Sequence, residues 1–249
     1  MALLSLAGVN KRFGGVSALA DVSFEVEQGE IVGLIGPNGA GKTTLLNCIS
    51  GVFPLDGGTI QFDGQRISGL APHRIARLGI GRTFQVVKPF LSMTVRENAA
   101  VGALFGASNL GPRQAFQAAD EVLELVGMAG KAGQPVGSLT IPDRKRLEVA
   151  RALATKPRLL LLDEVMAGLN PVEVDEALQM VRAVHGSGVT IVLIEHVMKV
   201  VVGLCQRVVV LNFGQPLAAG TPDEVLHDDR VIEAYLGEKY AERMRRAGG

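Results

Sequence analysis

Tryptophan is absent from this 249-residue chain, tyrosine occurs twice, and aromatic residues make up 4% of it. Two cysteines, Cys48 and Cys205, stand far apart in apolar segments. That spacing excludes a disulfide framework or a Cys-based metal site and fits buried, reduced thiols of the cytosol. Net charge is lacking too: 25 Lys+Arg balance 25 Asp+Glu, so the molecule has no overall field that would favour nucleic acid. Although 47% of the residues are hydrophobic and mean hydropathy is +0.27, no apolar run approaches the roughly 18 residues that cross a bilayer. The opening MALLSLAG has no basic start, so no signal peptide is expected. Internal repeats and low-complexity tracts are missing as well.

What is abundant is glycine, 31 residues, as expected of an α/β protein with many tight turns around a ligand. Residues 3 to 35 read as short strands with turns, ending in the continuous buried run EIVGLIG, and a hairpin is expected over 57 to 67. Helical periodicity begins after Gly41, returns at PHRIARLG and dominates from about Val95 to Gly127. KPRLLLLDE and VTIVLIEH read as buried strands. PVEVDEALQMVRAVHGSG between them is a helix with proline at its start and glycine past its end. QRVVVLNFGQPLAAG reads as a closing hairpin, and Thr221 with Glu224 opens a last helix with a capping box. Strands apolar throughout, alternating with helices, imply a parallel sheet covered on both faces. Antiparallel strands stand before it, and a helical insert near residues 88 to 150 interrupts it.

GPNGAGKT, Gly36 to Thr43, fits the phosphate-binding pattern G-x-x-x-x-G-K-[ST] at every fixed position. It follows a buried strand and precedes a helix, the context that gives the pattern its meaning. Such a loop curls backbone N–H groups around an anion at a helix N-terminus, Lys42 reaches the outer phosphates, and Thr43 offers a hydroxyl to Mg²⁺. LLLLD, Leu159 to Asp163, delivers a carboxylate to a sheet edge where Mg²⁺ is held in nucleoside-triphosphatases. Glu164 is placed to polarise an attacking water. His196 ends IVLIEH, where a γ-phosphate contact is expected, and Gln85 in TFQ stands at the entry to the insert, where its amide can reach metal or water. His73, His185 and His227 lie in polar helical contexts and receive no role.

One stretch resists a simple account. SLTIPDRKRLE, from Ser138, has a helix-start threonine with an acid three residues on, yet proline at the second helical position and then a basic cluster.

With these features in this order, the chain resembles the ATP-binding subunits of ABC transporters over residues 3 to 237. The resemblance implies a P-loop NTPase fold of the ABC type in a single domain, with a RecA-like core and an antiparallel β-subdomain in 1–87 and 151–249 and a helical subdomain in 88–150. It implies ATP and Mg²⁺ as ligands. Nucleotide would be held by Phe13 (stacked on adenine), Gly36, Asn38, Gly39, Ala40, Gly41, Lys42, Thr43 and Thr44, and by Thr140 at the signature position, Leu139 to Asp143. Metal would fall to Thr43, Gln85 and Asp163, and catalysis to Glu164, His196 and Gln85; Ala167 to Asn170 would be the D-loop.

Several stretches, among them GRTFQVVKPFLSMTVREN, AGLNP and the tail GTPDEVLHDDRVIEAYLG, are similar to the branched-chain amino-acid importers. The implied partners are a second ATPase subunit, two transmembrane permease subunits and, indirectly, a periplasmic or extracellular binding protein, with the chain peripheral on the cytoplasmic face of the membrane. A likeness to the ATPase of lipopolysaccharide export leaves an exporter open. A nucleotide-gated subunit with one weak ATP site also stays open, because the signature frame, usually L-S-[GY]-G-Q, reads Leu139-Thr140-Ile141-Pro142-Asp143. Pro142 has no N–H to donate, and Asp143 is expected to repel a triphosphate. Val165 stands where a proline usually follows the catalytic Glu.

Overall fold

The computed structural model describes residues 2–85, 88–106 and 110–236. The chain divides into two units, one joining segment 1–69 to segment 194–249 and the other spanning 70–193.

The first unit opens with two long strands, β1 (Ala2–Phe13) and β2 (Val16–Glu27), followed by β3 (Ile31–Ile35), the helix α1 (Lys42–Ile49), β4 (Gly57–Phe62) and the short β5 (Gln65–Arg66). An antiparallel sheet is ordered β2-β1-β4-β5. β1 and β2 are longer than the short strands expected because their pairing carries repeated register shifts, between Leu6 and Val9 for instance. Each bulge flips the inward face, so period-two alternation breaks in the sequence while the strand continues in space. After residue 194 come α7 (Met198–Leu204), β9 (Arg207–Asn212), β10 (Gln215–Gly220), α8 (Pro222–Leu226) and α9 (Asp229–Leu236). β9 runs parallel to β3 and antiparallel to β10. All five residues of β3 are buried, which is why its sequence shows no alternation. The expected capping box of α8 is formed: the Thr221 hydroxyl accepts from the Glu224 N–H, and the Glu224 carboxylate accepts from the Thr221 N–H.

The second unit holds α2 (Pro72–Leu78), β6 (Ile80–Arg82), α3 (Val95–Phe105), α4 (Pro112–Leu125), two single 3₁₀ turns at Ala129–Lys131 and Val136–Ser138, α5 (Ile141–Ala154), β7 (Leu159–Asp163), α6 (Pro171–Gly186) and β8 (Thr190–Ile194). Its strands follow the order β8-β7-β6, and β6 runs parallel to β7. β6, three residues long, escapes hydrophobic periodicity altogether; its pairing with the four leucines of β7 forms it. β7 is buried from end to end. Each leucine there contributes roughly 1.5–3 kcal/mol of transfer free energy, enough to hold a buried acid at its C-terminal end. α3, α4 and α5 pack against one another, with Ala99, Ala103, Ala115 and Ala119 at 0–1% exposure. Small side chains there let the helices approach closely.

Cys48 and Cys205 are free and buried. Burial pushes both thiols up, to about 11 and about 12 respectively, so both stay protonated and inert.

Candidate functional site

In the first unit, β3 ends at Ile35 and the chain turns through Gly36–Gly41 into α1, whose N-cap is Gly41 at φ 97°. Glycine is required at two places. A Cβ on Gly36 would stand 2.0 Å from the Leu211 carbonyl oxygen, and one on Gly41 2.5 Å from that of Ala18. Asn38 and Gly39 are exposed, Ala40 is buried, and Thr43 and Thr44 are half-buried in the first turn of α1. The buried Lys42 donates from Nζ to the carbonyl oxygens of Gly36 at 2.7 Å and Pro37 at 3.0 Å, so its charge is held over its own loop. A ring of backbone N–H groups at a helix N-terminus with a lysine folded across it is a ready anion cradle.

The loop has a partner that the sequence did not reveal. The Gly36 N–H donates to the Tyr235 hydroxyl of α9 at 2.7 Å. Beside it lies a groove of about 680 Å³ bounded by Pro37 to Ala40, Asn212 and Phe213 in the β9–β10 turn, and Arg230 and Glu233 of α9. Phe13 keeps 44% of its surface exposed, meets Phe53 edge to face at 5.2 Å and carries the Lys11 ammonium over its ring at 5.3 Å. His196, just past β8, is exposed.

In the second unit, Asp163 ends β7 at 1% exposure. Its N–H donates to the Thr83 hydroxyl at 3.1 Å and its carboxylate pairs with Arg82 at 3.3 Å. Burial pushes the Arg82 guanidinium down, and the Asp163 charge works against that shift. Glu164 follows at φ +51°, a left-handed conformation costly for a non-glycine residue. Its carboxylate accepts a hydrogen bond from the Gln85 amide at 2.9 Å. Two residues singled out independently in the sequence, 79 positions apart, are thus brought into direct contact.

At the stretch SLTIPDRKRLE, α5 begins at Ile141 with Thr140 as its N-cap and proline in the first turn. Asp143 is turned inward, at 8% exposure. The Lys131 ammonium bonds one carboxylate oxygen at 2.6 Å, and the Thr140 hydroxyl donates to the other at 2.8 Å. The charge expected to face a triphosphate is therefore matched by Lys131, and the Thr140 hydroxyl expected to donate to phosphate donates to Asp143. The threonine with an acid three residues on was visible in the sequence, but the Lys131 contact had no local signal, because Lys131 sits on a 3₁₀ turn outside any periodic segment.

The basic cluster that follows is also put to use. Lys145 donates to the carbonyl oxygens of Ala167 and, at 3.4 Å, Glu164. Glu148, 7% exposed, accepts from the Phe84 N–H at 2.6 Å. Burial pushes its carboxyl up, against the pull of that N–H and of the Arg151, Lys145 and Arg82 charges. Arg151 donates to the Lys88 carbonyl at 3.0 Å and lies over the Phe90 ring.

A glycine-rich phosphate loop after a buried parallel strand, and a buried strand ending in adjacent acids beside a glutamine, define a P-loop nucleoside-triphosphatase. Comparison with known proteins takes the assignment further. The model of the ABC transporter family matches residues 19–167, and that of the branched-chain amino acid ATP-binding cassette transporter matches residues 215–241. The chain is 42% identical over 250 residues to the high-affinity branched-chain amino acid transport ATP-binding protein BraF of Pseudomonas aeruginosa, covering 95% of this chain and 98% of that protein. It is 44% identical over 252 residues to LivG of Escherichia coli, described in the same words, with the same coverage. Among solved structures it is similar to the ADP conformation of MJ1267, an ATP-binding cassette of an ABC transporter, with TM-score 0.86, 31% identity, and 96% of this chain and all of that one covered. The chain belongs to the ABC transporter family and is one of its ATP-binding, ATP-hydrolysing subunits.

Proposed function

We propose that this subunit powers import of branched-chain or closely related amino acids. The observation that carries the substrate class is the match of residues 215–241 to the tail of the branched-chain amino acid cassettes, a segment separate from the motifs that any ABC ATPase needs. In this reading the chain pairs with a second ATPase subunit beneath two transmembrane permease subunits, which an external binding protein loads, and it lies peripherally on the cytoplasmic face of the membrane. No helix among the described residues is long and apolar enough to cross a bilayer, which suits a subunit that borrows its span from a partner.

ATP would place its phosphates on Gly36, Asn38, Gly39, Ala40, Gly41, Lys42, Thr43 and Thr44, with adenine against the exposed face of Phe13. Lys42 would exchange the loop carbonyls for phosphate oxygens, a gain because a charged group bonds an anion more strongly than a neutral acceptor. Glu164 would take a proton from the attacking water, Gln85 would orient that water, and His196 would contact the γ-phosphate. The hydrogen bond between Gln85 and Glu164 supports this division of labour, since an amide that already holds the base can hand it the water. Thr43, Gln85 and Asp163 are oxygen donors of the kind Mg²⁺ prefers. Their small number also fits an ion that keeps waters and phosphate oxygens in its shell. No cluster of three His, Cys, Asp or Glu occurs among the described residues. Bound there, Mg²⁺ would neutralise charge on the terminal phosphates.

The test is to purify the chain with its membrane subunits, reconstitute them in vesicles with the cognate binding protein, and measure ATP turnover. Stimulation by leucine, isoleucine or valine is expected. Stimulation by an unrelated cargo and by none of these would overturn the substrate class.

A further inference from the structure

α5 does more than present the signature position at its N-terminus. Lys145 and Glu148 are three residues apart, on one stripe of the helix, and each grips a different catalytic loop. Lys145 holds the carbonyls of Glu164 and Ala167, fixing the backbone of the segment that carries the base. Glu148 holds the Phe84 N–H at 2.6 Å, one residue before Gln85. Those two loops then meet through Gln85 and Glu164. A carboxylate kept at 7% exposure is costly to bury, and here it is held by the Phe84 N–H and the nearby charges of Arg151, Lys145 and Arg82. Arg151 adds a third grip, on the Lys88 carbonyl.

We propose that Lys145 and Glu148 are positioning residues for hydrolysis: from the signature helix they fix the two loops that carry Gln85 and Glu164, so that α5 and both loops move as one body. This rests on the roles given above to Gln85 and Glu164. Ground-state nucleotide binding is assigned to the phosphate loop, so the two residues govern turnover and leave affinity unchanged.

Lys145→Met and Glu148→Ala are the variants to test, with Lys145→Arg and Glu148→Gln as conservative counterparts that keep a donor and an acceptor. Steady-state kcat is read beside the Kd of ATP and amide exchange over residues 82–90 and 164–170. Each disruptive variant is expected to lower kcat about tenfold, the effect of one lost charged hydrogen bond, with Kd unchanged. Exchange should rise in the loop that variant releases, and the conservative variants should recover most of the rate. If Glu148→Ala does not fold, Lys145→Met decides the matter, its contacts being backbone carbonyls at a half-buried position. Faster exchange with wild-type kcat would make the contacts purely structural and overturn the proposal, as would a fall in kcat matched by an equal loss of ATP affinity. Normal turnover in both disruptive variants, alongside lost turnover in Glu164→Gln, would overturn the positioning role and leave the role of Glu164 standing.

Discussion

Lys131→Met tests the most unusual stretch of the sequence, Leu139 to Asp143. Lys131 is the cation on Asp143, whose carboxylate also accepts from the Thr140 hydroxyl, while the Asp143 N–H donates weakly back to that hydroxyl's oxygen. A fully exposed pair would be worth at most about 1 kcal/mol, while removing one member of a fully buried pair costs about 3–5 kcal/mol. The Lys131 side chain is 40% exposed and that of Asp143 12%, so the pair falls between these limits. One short charged hydrogen bond then sets the expected loss at about 1.5–2 kcal/mol. The pH dependence supplies a second check. Burial pushes the Asp143 carboxyl up, but the hydrogen bonds from Lys131 and Thr140 and the Lys131 charge outweigh it, leaving the group below its ordinary value. The unfolded chain therefore binds the proton more readily than the folded one. The stabilisation is present above the unfolded value of about 3.9 and is lost as pH falls through the folded one. Urea denaturation of wild type and variant at a series of pH values should show a full difference between about pH 5 and 7 that shrinks below about pH 4. Adding Asp143→Asn to Lys131→Met should recover much of the loss, as a coupled pair requires. A difference under about 0.5 kcal/mol, or one that ignores pH, would refute the reasoning.

Two further outcomes follow from the phosphate loop. Tyr235→Phe removes the acceptor of the Gly36 N–H and should cost about 1 kcal/mol, seen as a lower melting temperature and a roughly fivefold weaker ATP Kd. Gly36→Ala would force a Cβ to 2.0 Å from the Leu211 carbonyl at φ 147°; destabilisation of about 3 kcal/mol or more is expected in denaturant titration, with ATP binding lost.

Much of this could be read from the chain alone where one residue type has one use. The phosphate loop was legible because its glycines answer to backbone clashes and its lysine to the loop's own carbonyls, and both demands are local. β3, β7 and β8 were legible because burial on both faces leaves nearly continuous apolar runs, broken only at the ends by Asp163 and Thr190. Gln85 and Glu164 could each be picked out, but their contact spans 79 positions and had no local trace. The signature stretch shows where such reading stops. The sequence marked Thr140 as a helix cap, which it is, yet Asp143 could be judged only by its charge. Whether an acid faces a ligand or turns inward depends on a cation twelve residues upstream on an irregular turn. Lys145 stood in the sequence only as part of a basic cluster and Glu148 was given no role; only the fold shows which loops they hold. β1 and β2 erred in the opposite direction, since bulges broke an alternation that the strands themselves survive.

The central claim is that this chain hydrolyses ATP with Glu164 as the base, held by Gln85. The direct measurement is ATP turnover and ATP affinity in Glu164→Gln, a change that keeps the size and hydrogen-bonding reach of the side chain. The account predicts a fall in kcat of about a hundredfold or more, the usual contribution of a positioned general base, with ATP bound as tightly as in the wild type. Turnover within a fewfold of wild type would contradict it.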